Sequence, residues 1–450
     1  MSEPVHSPDH SAAVSPAPVP APAPAQDPSA VPSPFTGLAT AADRGLTRAL
    51  VRVTGTAIGP YQSAVVRIGM ALTWLLFLLR EFPHRHELYG PDGVWGYAQA
   101  SRLIADNHAF TVLLWGDGRV WFEFVYAASI AASAMLLLGW RTRTASLLFM
   151  AGVLSLQNRS VFMGDGGDNV IHLMAIYLVF TRCGQVWSLD ARRRARSGDE
   201  RDGDAAGIAL WAVLGMFLLI AQLLGRTGLS WTDGLLPWLG WTPLLWGVLL
   251  LQAVWWAVRR YAPGEPRTLL DVFANITHNA AMLVVVVEVC LIYATAGWYK
   301  IQGSRWQDGT ALYYPLHLDD FSPWPELSHA MASSGLVVMA ITYGTVIVQV
   351  AFPFTLFNRR VKNALLALMI VEHASIAFLL GLPFFSMAMI AADAVFLPTG
   401  FLRWAGDRLG RPTRRGPAGR AGTGERAVVP GPGRGRAEPG TEPAPTDLPV

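Results

Sequence analysis

The chain has 450 residues, 52% of them hydrophobic and 15% charged, against about 25% charged residues in an ordinary soluble domain. That deficit, with the apolar residues gathered into repeated runs of about 15–20, excludes a string of soluble domains and points to a polytopic helical membrane protein. The net charge of +3 does not indicate nucleic-acid binding, because the arginines lie mainly in loops and tails. Cys183 and Cys290, the two cysteines, provide neither a disulfide framework nor a CxxC metal site.

Residues 1–44 contain ten of the 31 prolines, several alternating with Ala and Val. They read as a disordered Pro/Ala-rich cytoplasmic tail, since such a stretch favours extended conformations and has little to bury. No basic segment followed by a short apolar run opens the chain, so the first apolar helix is expected to stay as an anchor. A transmembrane domain then occupies 45–404, and 405–450 form a second disordered tail rich in Gly, Pro and Arg.

Within the domain, hydrophobic runs predict ten helices at 62–79, 120–138, 145–157, 170–181, 208–224, 243–258, 276–299, 335–356, 364–380 and 384–397. Several are short, so the fold class is an all-α bundle of eight to ten membrane crossings. With the N-terminus inside, 26 Lys and Arg fall on the inner side and 8 on the outer; without the tails the bias is still 14 to 8. The positive-inside rule therefore puts both termini in the cytoplasm and the protein in the plasma membrane. Two long outer segments, 80–119 and 300–334, mix Trp, Tyr and Phe with Pro, Gly and acids, as interfacial connectors do.

Ionisable groups inside an apolar helix cost about 2.5–3.5 kcal/mol each on insertion scales, so each needs a partner, a cavity or a role. Glu288 interrupts a valine run, Glu372 and His373 sit in the middle of the ninth helix, and Asp393 lies in the tenth. Near the outer end of the seventh, Tyr293, Gly297 and Lys300 share one face, and the small residues there permit close approach by a helix or ligand. Lys300 reads either as a lysine held at the rim of a cavity, able to take a proton, or as a snorkelling lysine at a helix end. A proton path through Glu288, Glu372 and Asp393 would suit a transporter, but no inverted repeat accompanies it.

The polar stretch 155–169 is expected on the same side as Lys300. Asp168 or Asn169 is placed to cap the fourth helix after the Gly166-Gly167 turn. Asp165, Asp168 and His172 are the alternative, a sparse metal pattern; no metal is expected. His278, near the start of the seventh helix, is expected to be satisfied by Asn275, Asn279 or a neighbouring helix. Common hydrolase, nucleotide-binding and zincin motifs do not occur.

Three stretches carry a resemblance. They are Gln157-Asn158 followed by Gly166-Gly167-Asp168-Asn169; Ala296-Gly297-Trp298-Tyr299-Lys300 followed by Trp306, Gly309 and Ala311; and Glu372-His373 followed by Phe384-Phe385-Ser386-Met387 and Phe396. In their order and spacing, over roughly residues 58–404, the chain resembles the horizontally transferred transmembrane (HTTM) family, whose best-known relatives are the vitamin K-dependent gamma-carboxylases.

The resemblance implies Lys300 as the base that deprotonates a reduced vitamin K or menaquinol. It implies Asn158 as an oxyanion stabiliser, with oxygen and carbon dioxide as co-substrates and an exported peptide as acceptor. The expected outward-facing lipid or quinol cavity is lined by Glu288, Tyr293, Gly297 and His373. In two places the chain departs from the carboxylases: Arg159 follows the asparagine where they have histidine, and one additional residue separates Lys300 from Trp306. It also has only a short tail in place of their large extracytoplasmic region. The alternative from another class is a non-catalytic membrane component in the maturation or export of a secreted peptide.

Overall fold

A computed structural model of the chain describes residues 34–196, 205–227, 230–231, 238–262 and 264–410. The fold is helical throughout, apart from a two-residue antiparallel ladder pairing Ser230 with Leu239 and Trp231 with Trp238. Twelve longer helices organise it: α1 (Pro34–Gly55), α2 (Pro60–Glu81), α3 (Arg119–Leu138), α4 (Thr142–Arg159), α5 (Gly166–Val179), α6 (Ala205–Leu223), α7 (Trp241–Tyr261), α8 (Glu265–Gln302), α9 (Gly335–Ala351), α10 (Arg359–Leu379), α11 (Pro383–Asp393) and α12 (Thr399–Gly410). The main compact unit runs to Arg403. In the second unit, the described residues 404–410 complete α12, where the Arg408 guanidinium lies 5.4 Å from the Trp404 ring.

Each of the ten predicted segments overlaps one of α2–α11, five of them running past its C-terminal end, and of the expected eight to ten crossings seven are supported by single helices. Among the described residues, seven helices are long and apolar enough to cross a membrane: α2, α3, α6, α7, α8, α9 and α10. The others fail for physical reasons. At 14 and 11 residues, α5 and α11 are only about 21 and 16 Å long at 1.5 Å per residue, short of a ~30 Å hydrocarbon layer. The 18 residues of α4 include Arg143, Gln157, Asn158 and Arg159, which dilute its hydropathy. These three elements lie instead against the interior.

The tail boundaries also differ from expectation. Helix α1 begins at Pro34, inside the stretch read as a disordered tail, and α12 runs to Gly410, past the expected start of the other. Residues 1–33 and 411–450 of those tails lie outside the described residues. Helix α8 starts eleven residues before its predicted onset at 276. Its polar first turns dock onto the end of α1 and the turn after it: Asn275 Nδ2 donates to the Thr54 carbonyl, and Asn279 Nδ2 donates to those of Val53 and Thr56.

The core forms where α2, α3, α4, α5 and α11 converge around buried Trp74, Tyr126, Phe149 and Met174. Contact between α2 and α11 is close enough that a Cβ on Gly69 would lie 2.3 Å from the Ala391 Cβ, so a larger residue there would separate the helices. Arg67, fully buried in α2, joins three segments. Its guanidinium donates to the Leu136 carbonyl, to those of Leu137 at 2.9 Å and Trp187 at 2.8 Å, and through Nε to Cys183 at 3.2 Å. It thereby adds a donor at the C-terminus of α3, where the Leu136 carbonyl also accepts from the Gly139 N–H and a cation is favoured by the helix dipole.

Candidate functional site

Two hydrogen-bonded chains of polar side chains join α8, α9, α10 and α11. In the first, Lys300 Nζ donates to Gln349 Oε1 at 2.7 Å, and Gln349 Nε2 donates to Glu372 Oε1 at 2.5 Å. The amide of Gln349 thus stands between cation and carboxylate, its oxygen toward one and its nitrogen toward the other. Lys300 is half-buried, and its ammonium group lies 5.3 Å from the Trp306 ring centroid.

This contact exists because α8 and α9 approach closely just before it. A Cβ on Gly297 would lie 2.5 Å from Val350 Cγ2, so only glycine lets α9 come near enough for Gln349 to meet Lys300 one turn later. Gly297, expected among cavity-lining residues, is therefore occupied in packing two helices together.

The second chain is deeper. Tyr293 Oη lies 3.0 Å from His373 Nε2 and 3.0 Å from each carboxylate oxygen of Asp393. Tyr293, His373 and Asp393 are 1%, 2% and 0% exposed. Phe352 packs edge-on to Tyr293 with centroids 5.9 Å apart, and Phe385 edge-on to His373 at 5.6 Å. These rings keep the group in apolar surroundings, where hydrogen bonds are strong and unpaired polar atoms costly.

A tyrosine hydroxyl has one hydrogen, so the second chain has two consistent protonation patterns. In one, Tyr293 donates to the Asp393 carboxylate and His373 Nε2–H donates to Tyr293. In the other, protonated Asp393 donates to Tyr293, Tyr293 donates to Nε2, and the His373 proton sits on Nδ1. The second pattern holds one proton more than the first, so going from one to the other requires uptake of a proton from outside the group; His373 Nδ1 is buried without a hydrogen-bond partner. The histidine end of the group is left unsatisfied.

The remaining expected site residues lie elsewhere. Asn158 Nδ2 donates to the Phe110 carbonyl at 2.8 Å, which ties α4 to the long connection between α2 and α3 and leaves it outside both chains. Arg159, where carboxylases have histidine, is 2% exposed and donates to the carbonyls of Trp95 and Gly90, a structural role. Half-buried Glu288 on α8 belongs to neither chain.

The cap of α5 is shifted from its expected position. Asp165 is the N-cap and accepts from the backbone N–H groups of Gly167 and Asp168, while the Asp168 carboxylate accepts from the Asp165 N–H. Asp168 is thus the reciprocal half of a capping box, and Asn169 takes no part in it, because the helix starts at Gly166, before the residue expected to cap it. The metal alternative is not supported: His172 Nδ1 pairs with Gln157 Oε1 at 2.8 Å, and no group of three metal-ligating side chains occurs among the described residues. His278 accepts from the Arg182 N–H at Nδ1 and lies 3.0 Å from the Ile58 carbonyl at Nε2, so its partners are loop backbone rather than Asn275 or Asn279.

Gln349 is the member of the two chains that a search for ionisable groups misses. The signal was present, an uncharged amide inside an otherwise apolar helix, where side-chain amides bond across helices. The two best-formed cavities lie away from both chains: one of about 280 Å³ beside His86, Asp92 and Arg119, the other of about 410 Å³ beside Arg182 and Asp271. No family model, no curated protein and no solved structure matches the chain.

Proposed function

We propose that the chain is an HTTM-type multi-pass protein of the plasma membrane, with both termini cytoplasmic, and that Lys300 is the base of a quinol-dependent, carboxylase-like reaction. The observation that carries this reading is the company Lys300 keeps: a half-buried lysine whose hydrogen-bond acceptor is the neutral amide of Gln349, with Glu372 one step behind. A lysine locked in a direct ion pair would hold its proton, whereas one facing an amide in partly desolvated surroundings is better able to take another. Gln349 links the ammonium form, once made, to Glu372.

In this reading the amine accepts the hydroxyl proton of a quinol entering from the outer leaflet, beside Trp306. Reduced quinone and dioxygen then give quinone epoxide and water, and the base formed on the way removes a proton from an exported peptide before carbon dioxide adds. Tyr293, His373 and Asp393 lie deeper and provide a second place to store or return a proton. Asn158, held by Phe110, has no part in the base.

The test uses the full chain in nanodiscs with reduced menaquinone or vitamin K, bicarbonate and oxygen. Wild type should form epoxide, and Lys300→Met should form at least about 100-fold less, the usual contribution of a general base. Equal epoxide from both proteins would remove the base role. None from folded wild type would end the quinol reading and leave a non-catalytic part in maturing or exporting a secreted peptide.

A further inference from the structure

Helix α1 sorts its side chains by chemistry. At about 3.6 residues per turn, Leu46, Leu50 and Val53 fall within about 60° of one another, and Arg44, Arg48 and Arg52 fall within about 80° on the opposite side. Asp43 is the one acid between residues 42 and 55. The apolar arc is not covered by the rest of the chain: Leu46 and Leu50 are 61% and 56% exposed. Val51, flanking the arginine row, is the exposed large apolar residue outside that arc. Arg48 and Arg52 are exposed too, and Arg48 spends its Nε on the Arg44 carbonyl of its own helix.

The helix is also held close to the level of a bilayer surface. Its end at Gly55 is five Cα steps from the start of the membrane-length helix α2 at Pro60, at most about 18 Å of chain. Its last turn and the connection are fixed to α8. Asn275 and Asn279 donate to the carbonyls of Thr54, Val53 and Thr56, and Asn279 Oδ1 accepts from the Ile58 N–H at 2.7 Å. With 38 residues, α8 is about 57 Å long, well beyond a ~30 Å hydrocarbon layer. Asn275 and Asn279 stand at the start of its apolar run, where a spanning helix leaves that layer. A helix pinned there, with leucines uncovered on one side and arginines on the other, has the makeup of an interfacial helix. Such a helix sinks its apolar face into the headgroup boundary while its guanidinium groups stay with the phosphates.

We propose that α1 is an amphipathic anchor on the membrane surface at the start of α2, with Leu46 and Leu50 in the lipid and Arg48 and Arg52 on anionic headgroups. Charge selects the lipid: each basic residue at such a surface strengthens binding to anionic headgroups roughly fivefold. The proposal is independent of any chemistry at Lys300.

The test attaches a nitroxide to the full-length protein through Leu46→Cys, Arg48→Cys, Leu50→Cys or Arg52→Cys, one at a time. Cys290→Ala removes a competing thiol, and Cys183 is buried. Collision of each label is measured with oxygen, which concentrates in lipid, and with a water-soluble nickel chelate. In nanodiscs of phosphatidylcholine and phosphatidylglycerol, labels at 46 and 50 should favour oxygen and labels at 48 and 52 should favour nickel. With the label at 50, Arg48→Gln and Arg52→Gln should each shift the helix from lipid toward water roughly fivefold, and phosphatidylcholine alone should shift it in the same direction. Arg119→Gln, which removes the partner of Asp92 at the start of α3, should leave it unchanged. All four labelled positions are exposed, so the labelled proteins should keep the melting temperature of the Cys290→Ala protein. Equal nickel access at all four positions would put α1 in water, and exclusion of both reagents at 46 and 50 would put protein over them, a second copy included. Either result, or immersion indifferent to phosphatidylglycerol, would overturn the proposal.

Discussion

Arg67 and the Tyr293–His373–Asp393 group are both ionisable and both buried, yet they are built in opposite ways. Every guanidinium nitrogen of Arg67 donates to a backbone carbonyl, from Cys183, Leu136, Leu137 and Trp187. Four of its five N–H donors are thereby engaged, which leaves little to offer a ligand. The deeper group gathers His373 Nε2 and both Asp393 carboxylate oxygens around one hydroxyl and leaves His373 Nδ1 with no partner. Burial alone therefore does not mark a site; incomplete satisfaction of a buried polar group does. Arg159 falls with Arg67, and Lys300, facing an amide, falls with the triad.

Breaking the saturated side should have the largest effect on stability. Arg67→Met leaves the carbonyls of Leu137, Cys183 and Trp187 without this donor, and reversible unfolding in detergent should show a loss of roughly 3–5 kcal/mol. Tyr293→Phe removes the shared hydroxyl and should cost about 1–3 kcal/mol in the same assay. Combined with Asp393→Asn, it should depart from additivity by at least about 0.5 kcal/mol; strict additivity would mean the two groups do not interact.

Smaller effects sharpen the comparison at its edges. Gly297→Ala forces a methyl against Val350 and should cost about 1–2 kcal/mol by overpacking, most of it recovered when Val350→Ala is added. Asp165→Ala should cost about 1 kcal/mol through loss of the cap, while Asn169→Ala should stay within about 0.5 kcal/mol. The reverse order would restore Asn169 as the capping residue.

Much of this was legible one residue at a time. The apolar runs located all of α2–α11, because a helix that faces lipid or core must be apolar over most of its length. Glu372, His373 and Asp393 stood out as charges inside such runs. Pairing between them was not legible, since Tyr293 meets Asp393 across 100 positions and Lys300 meets Gln349 across 49, and no local spacing encodes which helices lie side by side. Hydropathy marks the short helices α5 and α11 as strongly as the longer ones, so the count of ten is not confirmed: among the described residues seven helices are long and apolar enough to cross, and an eighth span is formed if α11 and α12 count as one bent pair. The start of α1 was hidden by a Pro- and Ala-rich approach, and Arg67 by its ordinary place in a helix whose carbonyl partners lie on other segments.

The most direct test of the difference between saturated and unsaturated polar groups is quinol-dependent epoxide formation per folded molecule in Arg159→Met and His373→Gln. Both remove a buried polar side chain, but only His373 belongs to the open group. Arg159→Met should lose folded yield and keep near wild-type activity per folded molecule, whereas His373→Gln should fold and lose at least about tenfold in activity. Equal losses in the two variants, or full activity in His373→Gln, would contradict the account.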